Sequence, residues 1–219
     1  MTDPLGPLLE LDGVAAAVKS AQDAVFAVHR LPANLRGGSA TAAEASVRAA
    51  RVSAAIEGAD PEIPAEGAVT DPLLTGSLRV AEALESLLPT WRRAPLQALA
   101  KMHVLAAADL VSDPDALGRP RADEGVGSRL ELLALRPFGS ADGVVARAAA
   151  RLTMVASGLD PKALTVPEVA CFRRLSRYAV LAEGFAGGTA EGVREWLLFC
   201  CDAIEIGAKE ARGISDAVA

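Results

Sequence analysis

The chain has 219 residues, a net charge of −6, an apolar fraction of 51% and an aromatic fraction of only 4%. That length allows one large domain or two small ones, and the acidic balance excludes the basic patch a nucleic-acid binder needs. No uninterrupted apolar run approaches the roughly eighteen residues of a membrane span, so no membrane contact is expected. The start, MTDPLGPLLELDG, lacks the basic region and long apolar core of a signal peptide. Cys171, Cys200 and Cys201 make an odd set with an adjacent pair, unlike a disulfide framework, and a reducing cytoplasm is the expected compartment. Abundant alanine and few aromatics favour packed helices over sheet.

Taken in order, residues 1–12 carry Pro4 and Pro7 and are read as an arm. Val14, Val18, Ala21, Val25 and Val28 recur at helical spacing and predict a helix over 13–30. The segment 31–41, LPANLRGGSAT, reads as a loop. Thr41 and Glu44 have the spacing of a capping box and predict a helix over about 41–58, stopped at Gly58. Pro61, Pro64, Pro72, Gly67 and Gly76 mark 59–76 as a surface loop. Helices are expected at about 77–88 and 94–111, the second with Pro95 in its first turn. A turn-rich stretch over 112–128 precedes a short helix at about 128–135. Further helices are expected at 143–157, at 166–184 capped by Thr165, and from Thr189 onward through Trp196. The expectation is a single all-α domain of about eight helices over 13–219.

Two motifs stand out. The first is RPFGSADGVVAR, Arg136 to Arg147, a loop feeding a helix N-terminus. The second is SAAIEG, Ser53 to Gly58, in which Ser53 and Glu57 share one helix face. The first resembles the H-P-F-x-[DE]-G-N-G-R-x-x-R signature of the Fic family, helical enzymes that transfer nucleotide phosphate groups to protein hydroxyls. Pro137, Phe138, Gly143 and Arg147 match it. The second resembles the family's inhibitory signature, [ST]-x-x-x-E-[GN]. Residues 99–121 look like the family's histidine-bearing helix and its G-x-x-R turn, and 191–204 like its tryptophan-bearing helix. The resemblance spans roughly 41–205. It implies a Fic-like helical fold, and a Glu57 that reaches Arg147 and blocks the nucleotide's terminal phosphate. Only 14 residues separate Arg121 from Arg136, against a much longer family segment carrying a flap hairpin, so the family's mode of target docking is in question.

The mismatched positions are those that carry the family's chemistry. Arg136 stands where the family has its histidine base, and a guanidinium does not accept a proton. Ser140 replaces the magnesium-holding acid, and a neutral hydroxyl is a poor hard-cation ligand. Ala141 replaces the first glycine of G-N-G, placing a methyl where backbone approaches phosphate. Asp142 replaces the asparagine; its charge repels phosphate, and it suits the N-cap of the helix that follows. Val144 replaces the phosphate-gripping arginine. Pro137 and Phe138 are expected to be turn and packing residues, Arg136 a solvated charge at a helix end, and His29 and His103 packed or surface residues. Cys200 and Cys201 are expected to fill core.

The expected function is that of a degenerate Fic-like pseudoenzyme, a binding or regulatory module in the cytoplasm. Ser53, Glu57 and Gly58 form its inhibitory motif. ATP and magnesium binding are expected to be lost, with no metal site and no other cofactor expected. An unidentified protein is the expected partner, and a homo-oligomer is compatible with the chain. The alternatives are a protein nucleotidyl- or phosphoryl-transferase, AMPylation-like but with altered chemistry, and a ligand-free oligomeric scaffold.

Overall fold

The computed structural model describes residues 5–35, 37–120 and 136–218. Among them are nine α-helices and no strand. In chain order these are α1 (Val14–His29), α2 (Pro32–Leu35), α3 (Ser39–Ile56), α4 (Pro72–Arg93), α5 (Pro95–Ala107), α6 (Asp142–Ser157), α7 (Glu168–Arg173), α8 (Leu175–Ala186) and α9 (Ala190–Ala217). They fall into two compact units, one of Met1–Ala45 with Leu164–Ala219 and one of Ser46–Ala163. The reading of 13–219 as one domain is coarser than this division.

In the first unit, Val14, Ala21, Val25 and Val28 form one buried stripe on α1, and α1 packs along α9. Leu164, Ala208 and Ala211 close the core around Val28. Asn34 anchors the short α2 by donating to Val28 O (2.9 Å) and Ser215 Oγ (3.0 Å). The N-cap of α9 is Thr189, whose side chain accepts from Gly192 N–H, as the sequence predicts. The three cysteines are free thiols. Burial pushes the Cys200 and Cys201 thiols up, with Glu205 adding to the rise at Cys201, so both stay protonated near neutral pH. Residues 6–10, read as part of an arm, form an exposed to half-buried 3-10 turn.

The second unit is built by α4, α5 and α6 around Val80, Leu87, Trp91, Leu99, Met102, Val144, Val145 and Leu152. The last turns of α3 join it, with Ser77 Oγ on α4 donating to Ala50 O at 2.9 Å. Gly58 (φ +94) ends α3 as predicted: Gly58 N–H bonds Ala55 O and Ala59 N–H bonds Ala54 O, the paired bonds of a Schellman stop.

Several expected boundaries are corrected. Thr41 does not cap α3; it is 1% exposed inside a helix that starts at Ser39. The 31–41 loop contains α2. The next helix begins at Pro72, capped by Asp71 accepting from Leu74 N–H, and continues through Pro89 to Arg93. The following helix stops at Ala107, short of 111, and the Ala107 carbonyl takes the N–H groups of both Leu110 and Val111 in the turn beyond it. Thr165 is fully buried, and the helix that follows it begins at Glu168 with Pro167 at the N-cap position. The predicted 166–184 helix breaks at Arg174 (φ −127), whose guanidinium is bound to Asp202 and lies 4.8 Å over the Phe199 ring. The helix expected at 128–135 and the connection from Arg121 to Arg136 lie outside the described residues.

Candidate functional site at the start of α6

The second unit brings the two motifs together at the N-terminus of α6. Ser53 lies on the last turn of α3 and Glu57 directly follows that helix, four residues on. Arg147 lies on α6 and is only 6% exposed. Its Nε donates to Ser53 Oγ (2.8 Å), and its Nη2 donates to Ser53 O (2.9 Å) and Glu57 Oε1 (2.7 Å). The Arg147 side chain is 7% exposed and that of Glu57 30%. The pair therefore sits at the edge of the core, where charge-assisted bonds outweigh those of a solvated surface pair.

The Glu57 carboxylate is also pressed onto the first turn of α6. A Cβ added at Gly143 would overlap Glu57 Oε1 and come within 3.0 Å of Arg147 Nη1. Only glycine admits the carboxylate at this height. The first turn of a helix presents unpaired N–H groups and the positive end of the dipole, a place suited to an anion. Glu57 supplies that negative charge from within the chain.

The loop leading into this turn is tied to α6 and α5. Asp142 is the first residue of the helix, and the N-cap position belongs to Ala141; this corrects the expectation of Asp142 as N-cap. The Asp142 carboxylate instead accepts the Phe138 N–H across the loop at 2.9 Å. Ala141 is held at φ +52, a left-handed conformation that costs a non-glycine residue about 1 kcal/mol. Pro137, Ala141, Asp142, Gly143 and Val144 are all buried, and Val144 and Ala141 belong to the core of the unit. Arg136 is exposed at φ +43 and takes no part in the bonds between Glu57, Ser53 and Arg147.

His103 on α5 is the residue that spacing along the chain did not connect to this loop. It is 1% exposed and stacks on Phe138 with ring centroids 4.3 Å apart and planes 8° from parallel. Its Nδ1 accepts the Gly118 N–H at 2.9 Å, and its Nε2 lies 3.2 Å from Ser140 Oγ. An acceptor at Nδ1 places the ring hydrogen on Nε2, so His103 donates to Ser140. In that tautomer the histidine does not act as a base toward the serine hydroxyl. The one foreshadowing in the sequence is local: His103 falls four residues after Leu99 and next to Met102, on the buried face of α5.

Among the described residues no group of three or more His, Cys, Asp and Glu side chains is placed to hold a metal ion. The site thus gathers an anion-stabilising helix start, a buried arginine and a carboxylate that engages both. No protein-family model matches the chain, and no curated protein sequence matches it either.

Proposed function

We propose that this chain is a degenerate Fic-like protein, a pseudoenzyme that serves as a cytoplasmic binding or regulatory module with a protein partner. The observation that carries this reading is the Glu57 carboxylate lying on the first turn of α6 over Gly143 and bonded to Arg147 at 2.7 Å. A carboxylate in that place competes with any phosphate approaching the helix start. The reading is supported by the residues around it. The Asp142 charge adds to the repulsion, and Val144 is buried core rather than a cation beside the turn. Ser140 accepts from a neutral histidine, and Arg136 does not take up a proton. The positions that match the family's base and its phosphate-gripping arginine hold Arg136 and Val144, which supply neither the proton acceptor nor the phosphate grip of nucleotide transfer.

A second reading, a transferase with altered chemistry held inactive by Glu57, draws on the same contact. Incubation of the wild-type chain and its Glu57→Gly variant with labelled ATP, magnesium and lysate proteins separates the two. The pseudoenzyme leaves both proteins and the lysate unlabelled. Label that appears or rises with Glu57→Gly overturns it in favour of the self-inhibited transferase.

A further inference from the structure

His103 joins three segments that are distant in the chain: α5 itself, the turn over 113–118, and the loop over 136–141. We propose that His103 is a proton-operated clasp, whose protonation releases the 113–118 turn and the 136–141 loop from α5. The inference rests on the histidine's own contacts and stands or falls separately from the Fic-like reading.

The geometry fixes which nitrogen matters. Gly118 N–H donates to Nδ1 at 2.9 Å, so the added proton goes to Nδ1. Two donors then face each other across that distance, and the hydrogen bond is lost. The ring is 1% exposed, so the new charge is also cut off from water. Both penalties are relieved when the ring swings out, and it takes with it the support of Phe138, stacked at 4.3 Å, and of Ser140 Oγ at 3.2 Å.

Among the described residues no neighbouring charge bonds to the ring. The ionisable groups bordering these contacts are Lys101 on α5, Asp113, Asp115 and Arg119 on the turn, and Arg136 and Asp142 on the loop. All but Asp142 are exposed, Asp142 accepts the Phe138 N–H, and none bonds to the imidazole. On α4, Arg79 is paired with Asp109. Elsewhere α4 and α6 meet α5 through apolar residues such as Leu87, Trp91, Val144 and Val145. Burial holds the His103 pKa below the usual 6.5, against a smaller raising effect from a backbone hydrogen bond at Ser140. With the folded value depressed, the stability that the neutral ring contributes is complete above about pH 6.5 and is lost as pH falls toward the folded value.

The test is amide hydrogen exchange on the full chain between pH 7.5 and 5, corrected for the intrinsic pH dependence of exchange, with wild type and His103→Asn compared. Asparagine keeps an acceptor near Nδ1 and does not titrate. The expected result is that exchange in segments covering 113–118 and 136–141 rises several-fold as pH falls below about 6.5 in wild type, while the corresponding rates in His103→Asn stay flat. The same acid step in the variant, or a rise spread evenly over α4 and α6, overturns the proposal. If the variant does not fold, the wild-type protein alone decides by NMR. The Gly118 amide resonance is expected to titrate together with the His103 ring, and a Gly118 amide that ignores the ring's protonation contradicts the clasp.

Discussion

A single methyl at Gly143 has two opposed effects. In a helix, glycine to alanine gains up to about 1 kcal/mol from reduced backbone freedom. Here the added Cβ overlaps the Glu57 carboxylate, and displacing a packed group costs about 1–3 kcal/mol. Gly143→Ala is therefore expected to destabilise the wild-type chain by about 1 kcal/mol net, and to stabilise a Glu57→Ala background. Urea unfolding of the four proteins measures this. The same sign in both backgrounds contradicts the seating of Glu57 on the turn. The contact of Glu57 with Arg147 was expected from the resemblance of two motifs to the Fic signatures, while spacing alone put only Ser53 and Glu57 on one face. The place of His103 was not legible in the sequence, because its partners Gly118, Phe138 and Ser140 lie 15 or more residues away, and only tertiary packing brings them together.

At the level of elements, the apolar stripes placed most helices, and the errors came from punctuation. Pro72 was read as a loop residue, yet directly after Asp71 it is the favoured first residue of a helix, since its missing N–H has no partner there in any case. The helix expected over about 77–88 continues past Pro89 to Arg93. There the core contacts of Leu87 and Trp91 on either side outweigh the lost bond. Thr41 looked like a cap but is 1% exposed inside α3; burial, which a capping pattern does not encode, decided its place. Because Pro89 is exposed and lacks an N–H for the Glu85 carbonyl, Pro89→Ala is expected to stabilise the chain by about 1 kcal/mol. Thermal unfolding should rise by a few degrees. An unchanged or lower midpoint would mean that the proline's fixed φ favours the folded state more than its missing bond disfavours it.

Across the whole chain, the helical class followed from composition and pattern, as alanine-rich stretches with few aromatic residues carried no alternating pattern to support a sheet. The division into two compact units was not legible, because its first boundary falls after Ala45, inside α3, where no glycine or proline marks the chain. Among the described residues no helix is long and apolar enough to cross a membrane. What the chain does turns on whether the start of α6 is open to a phosphate or already occupied by Glu57. Calorimetric titration of the wild-type protein with ATP in the presence of magnesium asks that directly. With Glu57 over Gly143, Asp142 beside it and a valine in place of a cation, no binding heat is expected at micromolar to millimolar nucleotide; saturable micromolar binding would contradict the account.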